Sequence, residues 1–242
     1  MATPRVFNWK PAPKDERDYK FSAPPTKTIK LPDSFLLPNM PLPYDQGTLG
    51  SCTAQGIARL VQTKANFMPS RLMIYYLERE LEGTINQDAG ATIRSGIKVI
   101  NSTGVCPEPF WPYIISKFTQ RPPLICYQKA KMRKALKYSA VLQTETAIKS
   151  ALFSGLPVVF GFYVKGSFNG AAVAKTGIYK PKAREATLGG HCVVLVGWNA
   201  NGNFVVANSW GTAWGKNGYF DMPVSEVINP AISADFWVLE AI

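Results

Sequence analysis

Apolar positions follow two different periods along this chain, and the change between them divides it. After Ser51-Cys52-Thr53, the segment AQGIARLVQTKA sets Ala54, Ile57, Ala58 and Val61 at helical spacing. Ser70 then stands as an N-cap before RLMIYYLEREL, which stops at Gly83. A third helix is predicted over Ala91 to Asn101, ending before Gly104 and the proline-rich VCPEPFWPY turn. From about residue 136 the texture changes. LKYSAVL, PVVFGFYV, HCVVLVGW, NFVVANSW, GYFDM and DFWVLEA read as strands punctuated by Gly and Asn. Among them, Thr144 caps a short helix, TETAIKSALFS, that ends at Gly155. Helices followed by strands predict an α+β architecture, with a helical lobe over 39–125 and a β-rich lobe over 126–242. Residues 1–38 show neither period. Pro4, Pro11, Pro13, Pro24, Pro25, Pro32 and Pro38 predict an extended arm, with Trp9, Tyr19 and Phe21 laid along a surface.

Composition narrows the classes. The 242 residues are 46% hydrophobic and 18% charged, which suits a globular chain of one domain or two lobes. No apolar run is long enough to span a bilayer, and the N-terminus carries no continuous apolar stretch of a secretory signal. A cytoplasmic or virion-associated protein, without a membrane partner, is the expectation. Cys52, Cys106, Cys126 and Cys192 are scattered with no C-x-x-C pair, and free thiols are expected over a Cys106–Cys126 disulfide. A net charge of +11 suits an acidic partner or simply a basic surface. The basic cluster KAKMRKALK lacks a nucleic-acid motif, so nucleic-acid binding is not expected as the main function. The single histidine says more than the charge: any histidine-dependent chemistry uses His191, and multi-histidine metal sites are excluded. No metal or cofactor is expected, and a monomer is.

Cys52 alone would read as a small buried hydrophobe. Its setting alters that. It follows the turn-rich YDQGTLGS and opens a helix, where the macrodipole stabilises a thiolate and lowers its pKa. His191 follows Gly189-Gly190 and opens the strand HCVVLVGW, so its imidazole is expected at a strand end. Strand alternation turns Cys192 to the opposite face, as a packing residue. Asn208 ends an apolar strand, and its side-chain oxygen is placed to accept the histidine Nδ1–H under cover of Trp210 and Trp214.

Together these motifs resemble the papain-like (cathepsin) cysteine peptidase family. Gln46-Gly47-Thr48-Leu49-Gly50-Ser51-Cys52 is similar to its glutamine and nucleophile segment, Gly190-His191 with VVLVGW to its histidine strand, and Asn208-Ser209-Trp210-Gly211 to its asparagine motif. The resemblance covers about residues 40–240. It implies a papain-like two-lobed fold, with a helical lobe, an antiparallel β-barrel-like lobe and the active site in the cleft. It implies Cys52 as nucleophile, His191 as base, Asn208 as its orienter, Gln46 as oxyanion donor, and a protein or peptide substrate. Gly50, Ser51, Gly90, Ala91, Gly190 and Trp210 are the implied substrate-binding residues. The sequence also departs from the family. Leu49 replaces a disulfide cysteine, Thr53 replaces an aromatic, and Asp88-Ala89-Gly90-Ala91 stands for the substrate loop Cys-Asn-Gly-Gly. Only the short arm stands where the family carries a long helical proregion, and an autoinhibitory segment or a strap bracing the lobes is expected of it. Acyl transfer, or catalytically silent peptide binding on the same fold, are the two rival readings.

Overall fold

The computed structural model describes residues 5–13, 15–22 and 30–242; Pro4, Pro24 and Pro25 of the arm lie outside them. Three helices come first, close to where the apolar spacing puts them: α1 (Cys52–Lys64), α2 (Arg71–Leu81) and α3 (Ile93–Ser102). Ser70 caps α2 by accepting the Met73 N–H, and Thr92 caps α3 by accepting the Ser95 N–H. That second cap is why α3 starts at Ile93 and not at Ala91. No side chain caps α1. The Ser51 hydroxyl is paired instead with the Tyr113 hydroxyl at 2.5 Å and the Gln55 amide at 3.1 Å.

The second half is an antiparallel sheet. Its strands are β1 (Phe35–Leu36), β2 (Lys137–Ala140), β3 (Val158–Lys165), β4 (Thr187–Trp198), β5 (Asn203–Ala207), β6 (Tyr219–Pro223) and β7 (Ser233–Ala241). They run in the order β2-β7-β3-β4-β5-β6, with β1 added to β4. Four helices accompany the sheet: α4 (Leu124–Ala130), which straddles the expected lobe boundary, α5 (Glu145–Phe153), α6 (Ala171–Thr176) and α7 (Val224–Ile228). The sequence pattern marks only α5 of these, because α4, α6 and α7 span two turns or fewer and show no readable period.

β4 separates two cores. Val193 and Leu195 face a cluster of Phe160, Phe162, Phe168, Phe204 and Trp210. Cys192, Val194 and Val196 face α1, in a second cluster with Cys52, Ala54 and Ile57. Alternation therefore turns Cys192 away from His191, as expected. The strand itself begins earlier than the apolar run. Thr187 to Gly190 pair with β3, so His191 lies within the ladder opposite Phe162 and not at a strand end. The glycines make room for the arm: a Cβ on Gly190 would lie 2.1 Å from the Trp9 carbonyl oxygen.

The arm is packed more tightly than its prolines suggest. Trp9 is 2% exposed and lies in the α1-side core. It fits only because residue 161 has no side chain: a Cβ on Gly161 would lie 1.9 Å from the indole. Asn8 and Lys20 form single bridges to Gly190 and Ala140, and Phe35–Leu36 pairs with β4. Tyr19 remains exposed. All four cysteines are buried free thiols, with Cys106 and Cys126 sharing a small cluster beneath α2. No helix among the described residues is long and apolar enough to cross a membrane.

One buried cation shapes the loop after α2. Arg79 is 0% exposed and donates to the carbonyls of Ile85 (2.5 Å), Gln87 (3.2 Å) and Phe118. Its guanidinium also lies 4.1 Å over the Tyr75 ring. Arg79→Leu leaves those carbonyls without their charged donor, and each such bond contributes about 1.5–3 kcal/mol. Urea denaturation is expected to register a loss of about 3 kcal/mol or more.

Candidate active site

The two halves meet where α1 lies on β4. Cys52 is the first residue of α1 and is fully buried. The backbone N–H groups of Cys192, one residue past His191, and of Thr53 and Cys52 itself favour its thiolate form. A helix N-terminus favours a thiolate, yet burial overrides it and pushes the thiol up to about 12. The expected lowering is thus not realised in this closed state, because water is excluded from the sulfur.

His191 is equally buried, and burial takes it down to about 4. The Asn208 hydrogen bond works against that shift and the Arg5 cation adds to it. The imidazole nitrogen facing Asn208 is Nε2, 2.8 Å from Oδ1. This corrects the Nδ1 assignment: entering from β4, the ring points Nε2 at the end of β5 and leaves Nδ1 without a hydrogen-bond partner. Trp210 stacks on the imidazole, with centroids 5.0 Å apart and planes at 27°, and covers the His–Asn bond. Trp214 stands edge-on behind Trp210.

A single polar chain holds the remaining groups. Asn208 Oδ1 also accepts the Ser209 N–H at 2.8 Å. The Ser209 hydroxyl donates to Gln46 Oε1 at 2.6 Å, and the Gln46 N–H donates to the Ser209 carbonyl at 2.9 Å. Gln46 Nε2 gives one proton to the Leu49 carbonyl at 2.9 Å, which leaves its second N–H uncommitted. His191, Asn208 and Gln46, far apart in sequence, are therefore joined in one hydrogen-bonded chain that reaches the Leu49 carbonyl, three residues before Cys52.

The other candidates fall along a strip beside it, and the arm lies on that strip. Trp9 N–H donates to the Gly190 carbonyl at 2.9 Å, and Asn8 Nδ2 donates to the Asp88 carbonyl at 2.7 Å. Gly90 has φ +67°, and a Cβ there would sit 2.0 Å from the Asn8 carbonyl, so only glycine admits the arm. Asn8 and Val6 pack on Gly50, Phe7 packs edge-on to His191, and the Arg5 guanidinium lies 5.1 Å over Trp210. Ser51 turns instead to Tyr113, and Ala91 is fully buried.

Three residues of this region escape a sequence reading. The Asp88 carboxylate accepts the Gly50 N–H at 2.9 Å and the Tyr75 hydroxyl, tying the glycine loop to the nucleophile segment. Ser209 links Gln46 to Asn208, and the Tyr113 hydroxyl donates to the Gln46 carbonyl at 3.0 Å. Asp88 and Ser209 sit inside motifs that the sequence displays, but nothing in Trp-Pro-Tyr signals Tyr113.

Comparison with known proteins agrees with this arrangement. The family described as papain family cysteine protease matches residues 43–233. An uncharacterized peptidase C1-like protein of Acanthamoeba polyphaga mimivirus is 47% identical over 223 residues, 85% of this chain and 72% of that protein. The crystal structure of xylellain, a cysteine protease from Xylella fastidiosa, superposes with a TM-score of 0.92 at 35% identity, covering 98% of this chain and 96% of that one. ProCathepsin B S9 from Trypanosoma congolense shares the fold at 21% identity and a TM-score of 0.71, covering 89% of this chain and 81% of its own. A thiol at the head of α1, an imidazole on β4 and an asparagine at the end of β5, within a matched span of most of the chain, make this protein a member of the papain family, a papain-like cysteine peptidase.

Proposed function

We propose that the chain is a cysteine endopeptidase that works through a thioester acyl-enzyme and is held latent by residues 5–9. The polar chain His191–Asn208–Ser209–Gln46, ending at the Leu49 carbonyl three residues before Cys52, carries this reading. Cys52 attacks the scissile carbonyl as a thiolate, with its proton on His191 Nδ1. Asn208 holds Nε2, so that Nδ1 faces the sulfur and the imidazolium is stabilised. The uncommitted Gln46 N–H and the Cys52 N–H receive the charge that develops on the carbonyl oxygen. His191 then protonates the leaving amine, and water releases the acyl group. Gly50, Gly90, Gly190 and Trp210, vacated by the arm, form the strip on which a peptide backbone lies.

Latency has a chemical as well as a steric side. With the arm in place, a thiol raised from 9.0 to about 12 carries about a thousandfold less thiolate at neutral pH than an unshifted one. The Arg5 cation beside a buried imidazole opposes the imidazolium that must form. When the arm departs, water and the free N–H groups at the head of α1 favour the charged pair.

Alkylation of Cys52 by iodoacetamide at pH 7 is therefore expected to be slow in the full-length chain and at least about tenfold faster after Trp9→Ala, which removes the arm's anchor. Removing residues 1–30 should likewise raise peptide turnover; unchanged or lost turnover would make the arm a structural strap.

Gln46→Ala is expected to lower kcat by about a hundredfold with KM little changed, since its contact forms only as the oxyanion develops. Peptide-library cleavage by the wild type and by Cys52→Ala, with an added amine, separates the rival readings. Hydrolysis products lost in Cys52→Ala support a peptidase, amide products point to acyl transfer, and no turnover to a silent binder.

A further inference from the structure

Thr53 stands directly after Cys52, and its hydroxyl meets a buried carboxyl group. Glu78 of α2 is 0% exposed, and its Oε2 accepts the Thr53 hydroxyl at 2.8 Å. Its other oxygen, Oε1, has no hydrogen-bond partner. Room for the carboxyl comes from Gly96 in the middle of α3, where a Cβ would lie 2.5 Å from Oε1. Glycine inside a helix costs about 1 kcal/mol relative to alanine, and at Gly96 it leaves space that this side chain occupies.

We propose that Glu78, acting through Thr53, is a positioning residue that sets the reactivity of Cys52. The path is short. The carboxyl holds the Thr53 side chain, and the Thr53 backbone N–H is one of the first-turn N–H groups of α1 that favour the Cys52 thiolate. Holding one end of residue 53 fixes the other in the first turn of α1, which has no capping side chain of its own. The inference rests on Cys52 being the nucleophile.

The charges around Glu78 favour its protonated form. Burial raises it well above the ordinary carboxyl value, the Thr53 hydrogen bond acts against this, and Glu82 adds to it. Arg79, next along α2, lowers it only weakly, since its guanidinium points at loop carbonyls. Cys52 on α1 and Cys192 on β4 are the remaining titratable groups that sense it; a negative charge on Glu78 would raise both thiols. From α3 the Gly96 backbone lies against the carboxyl. An uncharged Glu78 thus supplies the hydrogen bond without opposing the thiolate.

The test uses the full-length chain with Trp9→Ala as parent and follows Cys52 alkylation by iodoacetamide against pH, beside peptide turnover. Glu78→Leu and Thr53→Val each should move the acid limb of the profile up by about 0.5–1 pH unit. Each should also lower kcat about tenfold while KM stays within about twofold. Glu78→Gln keeps an uncharged acceptor and should stay within about twofold of the parent in both readouts. Where Glu78→Leu does not fold, Thr53→Val removes the same bond from its other end. A Thr53→Val profile and kcat equal to the parent's, with only the melting temperature lowered, would overturn the proposal. Glu78→Gln as impaired as Thr53→Val would overturn the uncharged form. A parent whose Cys52 alkylates like an ordinary thiol, with its only limb near about 8.5, would sink the nucleophile assignment first and this proposal with it.

Discussion

Close contact between α1 and β4 is the constraint from which the rest of the site follows. Gly56 makes it tight: a Cβ there would come within 2.9 Å of Val159 and 3.0 Å of the Cys192 sulfur. With the helix seated at that depth, its first residue shares a core with Cys192, Val194 and Val196 of the strand that carries His191. Neither half could fix this distance alone. The thiol belongs to a helix and the imidazole to a ladder, and apolar packing between the two cores sets their separation.

Around that contact, polar groups are few and mutually committed. Asn208 holds His191, Ser209 bonds both Asn208 and Gln46, and Tyr113 fixes Gln46 from the helical side. In a region this buried, an unpaired polar atom is costly and a satisfied network is rigid. The groups left unpaired have a chemical reading in the proposed mechanism. Nδ1 of His191 has no partner among the described residues and is the nitrogen the proposal assigns to the thiol proton, and one Gln46 N–H remains for an oxyanion.

Burial also controls charge here. Cys52 and His191 are both driven toward their neutral forms by the same exclusion of water, although each has partners that favour the charged form. The Asn8 backbone lies on Gly90, and Trp9 lies on Gly190 and bonds its carbonyl.

Much of this was legible in the residues. Helix starts at Cys52 and Ser70, the strand runs after 136, and the positions of Cys52, His191, Asn208 and Gln46 all follow from local patterns, because periodicity, capping and short motifs are local properties. Other features were decided only by the tertiary structure. Trp9 reads as a surface aromatic on a proline-rich arm, and its burial depends on Gly161, far along the chain. His191 reads as a strand-end residue, and its place within the ladder depends on β3. The imidazole nitrogen that meets Asn208 and the upward shift of the Cys52 thiol depend on how the ring enters from β4 and on what covers it. A sequence displays which groups are present and how each stretch bends; distance, solvent and charge state arise between stretches, where only packing decides them.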